Sequence, residues 1–132
     1  MSESRTCDCG GGPTFVFACS GAADVGAVTD LAARRLQRER GAAVCCTAAI
    51  AADAHDIVAK ARQAGRILVL DGCPELCSRK ILEKAGFEGI DAIRLDELGM
   101  EKGRTRPSDE VVDTVVEHAR ALMSDARDRK RG

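Results

Sequence analysis

Ile67-Leu68-Val69-Leu70-Asp71-Gly72-Cys73-Pro74-Glu75-Leu76-Cys77 is the stretch whose reading decides how the rest of the chain folds. Four consecutive aliphatic residues with no polar residue alternating among them suit a strand covered on both faces, as a central strand of a parallel sheet is. Asp71-Gly72-Cys73 then turns the chain, and the Asp71 side chain can accept backbone hydrogen bonds in the turn or orient a ligand, the turn role being preferred. Pro74 stands where a helix can begin, because no intrahelical partner awaits its missing N–H. The pattern predicts a helix over residues 74–85, stopped by Gly86. Strand, turn and helix together are the unit of an α/β fold.

The unit recurs on both sides. Thr14-Phe15-Val16-Phe17-Ala18 is a second apolar run and ends at Cys19; Val25, Val28, Leu31, Ala32 and Leu36 follow at helical spacing, with Gly41 placed to stop that helix. Ala42-Ala43-Val44-Cys45-Cys46 reads as a weaker strand. A loop or tight turn of small residues over 47–52 follows, then a helix over 53–64 with Asp53 as N-cap and Gly65 as stop. Towards the C-terminus, residues 90–95 give a fourth strand. Pro107, Ser108, Asp109 and Glu110 open a helix whose Val111, Val112, Val115, Val116, Leu122 and Met123 form an inward stripe. Alternating strands and helices imply right-handed crossovers, so the predicted fold is α/β: an open, mostly parallel four-stranded sheet of order 2-1-3-4, helices on both faces, flavodoxin- or Rossmann-like.

A chain of 132 residues suits a single core. We divide it into a flexible glycine-rich leader over 1–13, one α/β domain over 14–126 and a basic tail over 127–132, in which Arg127, Arg129, Lys130 and Arg131 are read as solvated. Charged residues make up 31% and nearly cancel to a net −1, so no whole-domain field draws nucleic acid or an anionic membrane. Three Phe, with neither Trp nor Tyr, leave little surface on which bases could stack. No apolar run approaches the ~20 residues of a membrane span. Met1-Ser2-Glu3-Ser4-Arg5 lacks the apolar stretch of a secretory signal, and the expected location is the cytoplasm. In that reducing compartment seven cysteines are not expected to form a disulfide framework.

Ligands of open α/β sheets collect outside the carboxyl ends of the strands. Cys19, Cys46 and Cys73 fall at the ends of the first three predicted strands, and Cys77 follows Cys73 by four residues, one turn along the predicted helix face. Parallel neighbours lie ~4.8 Å apart and zinc–sulfur bonds are ~2.3 Å, so loop residues at adjacent strand ends can reach one ion. The helix N-termini after Cys19 and Cys73 would offset thiolate charge, with Arg79 and Lys80 as further screening. These positions predict one thiolate site of Cys19, Cys46, Cys73 and Cys77, with zinc as its cofactor and the metal ion as its partner. Any one of these cysteines taken alone also fits as a small apolar core residue.

Asp71-Gly72-Cys73-Pro74 with Cys77, Cys19-Ser20-Gly21-Ala22 and Leu98-Gly99-Met100-Glu101-Lys102 together resemble the zinc-binding proteins of the DGC-domain family over roughly residues 15–102. The resemblance implies four chelating cysteines and zinc binding, with no established reaction. It departs from the family pattern at the second strand, where Cys45 and Cys46 are doubled. Neighbouring strand side chains point to opposite faces, so only one of the two is expected at the ion. Cys46 is preferred because the loop Thr47-Ala48-Ala49-Ile50 follows it as in the family. Cys7 and Cys9 in the leader are possible additional ligands.

No catalytic residue is assigned, and a binding role is expected over an enzymatic one. A cysteine at the end of a first strand also serves cysteine-dependent phosphatases, but the arginine that must close their anion loop would stand at position 25, which is Val25. The alternative is a thiol redox or sulfur-transfer protein using Cys73 and Cys77 with Cys19, although the usual Cys-x-x-Cys spacing is missing. Gly10-Gly11-Gly12 precedes the first strand instead of following it, which argues against a phosphate loop. His55 and His118 are read as exposed helix residues.

Overall fold

The computed structural model describes residues 12–131, with side chains through Ser124. Cys7, Cys9 and most of the predicted leader lie outside the described residues. The chain runs β1 (Thr14–Ala18), α1 (Asp24–Arg38), β2 (Ala43–Val44), α2 (Thr47–Ala51), α3 (His55–Arg62), β3 (Arg66–Asp71), α4 (Cys77–Lys84), β4 (Asp91–Arg94) and α5 (Asp109–Arg131), with a 3-10 turn at Leu95–Leu98. All strand pairs are parallel and the order is β2-β1-β3-β4, as the alternation of elements predicts. No helix among the described residues is long and apolar enough to cross a membrane.

Side chains of a strand alternate between faces, and here that alternation sorts the core into two layers. Val16, Ala18, Leu68 and Leu70 face α1 and α5, packing with Val25, Val28, Leu36, Val112, Val115 and Val116. Phe15, Phe17, Ile67 and Val69 face the other way, towards Ile50, Ala61, Leu82 and Phe87 beneath α2, α3 and α4. β1 and β3 are thus covered on both sides, which is why their sequences are continuously apolar. The pairing of β1 with β3 extends from Thr14↔Arg66 to Ala18↔Leu70 and aligns their carboxyl ends. On the surface, Arg35 pairs with Asp113 and Arg120 with Glu39, tying α1 to α5.

Four expectations are corrected. The second strand, at one edge of the sheet, is two residues long; Cys45 keeps one ladder bond beyond it, its N–H donating to Val16 O at 2.9 Å. The stretch after it is helix α2 and not a loop, in keeping with Ala48, Ala49 and Ala51, alanine being the strongest helix former. Asp53 does not cap α3. It sits at φ 57° in the left-handed conformation that Asp tolerates, making the corner between α2 and α3, and Ala54 takes the N-cap position. Finally, α4 begins at Cys77 and not at Pro74: residues 74–76 form a turn, with Leu76 N–H donating to Cys73 O at 3.3 Å and Leu76 itself at φ 57°. Cys73 and Cys77 therefore do not share a helix face.

Candidate functional site

Parallel strands put everything that follows them on one edge, and the cysteines are there. Cys19 follows β1 directly, and its N–H donates to Leu70 O at 3.0 Å, which holds its backbone against the end of β3. Cys46 comes two residues after β2, Cys73 two after β3, and Cys77 opens α4. Cys46 and Cys77 are exposed, whereas Cys19 and Cys73 are half-buried. Cys45 differs in kind. It is buried among Phe15, Phe17 and Ile50, and that burial pushes its thiol pKa up, so it is a packing residue that resists becoming a thiolate.

Asp71 explains the shape of the turn that carries Cys73. Its carboxylate is 2% exposed and accepts from Ser78 N–H at 3.0 Å and from Arg79 N–H at 3.1 Å. These are the second and third residues of α4, so Asp71 caps the helix from six residues before its start, and the helix begins where this cap allows. Gly72 has a different constraint. A Cβ there would lie 2.8 Å from Val25 Cγ2, so α1 presses directly on the turn and leaves no space for a side chain.

Hydroxyl groups lock the neighbouring loops. Thr47 Oγ1 donates to Ala18 O at 3.0 Å and accepts from Ser78 Oγ at 3.4 Å, linking the starts of α2 and α4 to the end of β1. After Cys19, Ser20 stands at φ 50°; its N–H donates to Thr29 Oγ1 at 3.1 Å and its hydroxyl to Asp30 Oδ1 at 2.9 Å. Thr29 Oγ1 also lies 3.5 Å from Cys19 Sγ. A third segment arrives through Asp24, whose carboxylate accepts from Val25 N–H at 2.8 Å, Gly103 N–H at 2.9 Å and Thr105 N–H at 2.9 Å. The bonds from Gly103 and Thr105 hold its pKa below the usual carboxylate range. They pin the loop after Leu98-Gly99-Met100 beside α1, while Met100 is buried in the core layer that α1 and α5 share with the sheet.

The three segments singled out in the sequence thus meet at one corner of the sheet, and the DGC-domain profile matches residues 15–119, from β1 into α5. The chain belongs to the DGC-domain family. It is 36% identical over 88 residues to the Anaerobic and virulence modulator AnvM of Pseudomonas aeruginosa, an alignment covering 67% of each chain. No solved structure matches it.

In this DGC-domain chain four thiols come from loop or helix-start positions, after β1, β2 and β3 and at the start of α4. The sulfurs are not gathered as they stand. Among the described residues no three His, Cys, Asp or Glu side chains are placed to hold a metal ion, and the five described cysteines are free. Two electrostatic expectations also change. The N-termini of α1 and α4 are occupied by the carboxylates of Asp24 and Asp71, and the Arg79 guanidinium turns along α4 to Glu83 at 3.1 Å instead of screening the sulfurs. Sequence reasoning missed Asp24, Thr29, Thr47 and Ser78. Only Thr29 left a signal, as a polar residue within the inward stripe Val25, Val28, Ala32. His55 and His118 are exposed.

Proposed function

We propose that this DGC-domain protein is a small cytoplasmic metal-binding protein that holds zinc on the thiolates of Cys19, Cys46, Cys73 and Cys77. The observation that carries the reading is the contrast among the cysteines: four lie at the ligand-collecting edge outside the core, while Cys45, next in sequence to one of them, is sequestered in it. The carboxylates of Asp24 and Asp71 favour a cation further. They already place negative charge at this edge, so additional thiolates need a compensating positive charge, which bound zinc would supply. Closure of the site requires the sulfurs to come together, and exposure leaves Cys46 and Cys77 room to turn. Metal binding and local ordering are then one event, as is general where a preformed site is absent.

The test is metal content together with a free-thiol count on full-length protein purified without added metal. About one zinc per chain is expected, and Cys77→Ser should lower metal affinity while leaving the fold intact, since α4 is capped by Asp71 and not by Cys77. Protein that binds no metal stoichiometrically overturns the reading.

A second reading rests on one feature: Cys73 and Cys77 flank a single turn, closed by the bond from Leu76 N–H to Cys73 O at 3.3 Å. Two thiols so placed suit a redox pair, and the name of the relative, an anaerobic modulator, fits chemistry that responds to oxygen. Mild oxidation of metal-free protein would then join Cys73 to Cys77.

A further inference from the structure

A cavity of about 300 Å³ opens at the amino edge of the sheet, at the opposite end of β3 from the cysteines, between the end of α3, the start of β3 and the turn after α4. Ala61, Ile67 and Phe87 line it, and all three side chains belong to the core layer beneath α2, α3 and α4. Three charged residues line it as well, and they differ in what they have left to give. Arg66 is committed: its Nε lies 2.9 Å from Asp91 Oδ2 and its Nη1 donates to Met123 O at 2.7 Å. Arg62 is held without being used up. Its Nη2 donates to Ala85 O at 2.6 Å and its guanidinium carbon stands 4.5 Å from the centre of the Phe87 ring, while its remaining N–H groups have no acceptor among the described residues. Glu88 is exposed and makes no ion pair or hydrogen bond among the described residues. Arg62 and Glu88 thus bring opposite charges to one cavity and do not neutralise each other.

We propose that this cavity binds a free α-amino acid with an aliphatic side chain: the carboxylate on Arg62, the ammonium group on Glu88 and the side chain against Ala61, Ile67 and Phe87. A guanidinium offers parallel N–H groups that a carboxylate takes two at a time, and Arg62 is already oriented by Ala85 O and the Phe87 ring. A ligand with one charge would leave the other residue unmatched, whereas a zwitterion meets both. The size agrees, because about 300 Å³ stands at the small end of ligand pockets. Both charges are open to water, so each contributes modestly, and the dissociation constant should be on the order of 1 mM. The inference does not depend on the zinc reading, since no cysteine among the described residues lines the cavity.

The experiment titrates full-length protein with L-leucine, followed by the amide NMR signals of Gly65, Phe87 and Gly89, and with two single-charge analogues, isocaproate and isoamylamine. Leucine should give saturable shifts at those residues, and each analogue should bind about fivefold more weakly, the worth of one solvent-exposed charge pair. Glu88→Gln should cost leucine a similar factor and leave isocaproate unchanged, so that the two ligands become nearly equal. Arg62→Gln should weaken leucine and isocaproate together and leave isoamylamine unchanged. If Arg62→Gln, which loses the bond to Ala85 O, does not fold, Glu88→Gln decides alone, because Glu88 has no partner on which the fold depends. Absence of saturable shifts with leucine overturns the proposal. So do shifts confined to other parts of the chain, or an unchanged preference for leucine over isocaproate in Glu88→Gln.

Discussion

Asp71 is subject to two opposed effects, and their balance can be measured. Burial pushes its carboxyl pKa up, while the N–H groups of Ser78 and Arg79 favour the charged form. Asp71→Ala leaves both amides at the start of α4 without their acceptor and should cost about 1–3 kcal/mol in denaturant unfolding. Asp71→Asn keeps one acceptor and removes the buried charge, so its loss should be smaller. The sign of the pH dependence follows from the raised pKa. The native state binds this proton more readily than the unfolded chain, so stability from Asp71 is greatest in acid and declines as pH rises from the ordinary carboxylate range through the raised value. The gap between wild type and Asp71→Asn should therefore narrow as pH rises above the ordinary carboxylate pKa of about 4. A constant gap would mean that burial has no net cost at this carboxylate.

Elements were legible in the sequence to the degree that their own residues determine them. β1 and β3 are continuous apolar runs, and their observed bounds lie within one residue of those the sequence predicts. Helix α2 was hidden because its alanines satisfy a loop reading as easily as a helical one, and the start of α4 was misplaced because Pro74 gave a local signal that the cap from Asp71 overrides. The contacts of Asp24 had no local signal at all, since Gly103 lies 79 residues away. They lead to a prediction at the same scale. In Asp24→Ala the amides of Gly103 and Thr105 lose their acceptor, and their hydrogen exchange should quicken while Leu68 and Leu70 in β3 stay protected. Acid should act similarly on wild type. The depressed pKa means that the stabilisation is present above the ordinary carboxylate pKa of about 4 and is lost as pH falls through the lower folded value. Unchanged exchange at Gly103 in the variant would show that the loop is held by Met100 instead.

At the scale of the whole molecule, topology alone brings the candidate residues to one place. Once the alternation of strands and helices fixes a parallel sheet, cysteines after β1, β2 and β3 must emerge at the same edge, however far apart they stand in sequence. Sequence reaches no further than that, because the direction of each sulfur depends on turns such as Leu76 and on packing such as that of Cys45. The two kinds of cysteine should separate in a stability measurement. A ligand that binds only the native state stabilises it by about 2.7 kcal/mol at a hundredfold excess over Kd, which for a domain of this size raises Tm by on the order of 10 °C. Zinc should produce that shift in wild type and much less of it in Cys19→Ser, Cys46→Ser, Cys73→Ser or Cys77→Ser. Cys45→Ser should behave in the opposite way: a hydroxyl among Phe15, Phe17 and Ile50 lowers the metal-free Tm, yet the shift on adding zinc survives. If Cys45→Ser abolishes the shift while Cys46→Ser preserves it, the second-strand ligand is Cys45, and β2 must rearrange to bring that buried sulfur out to the edge.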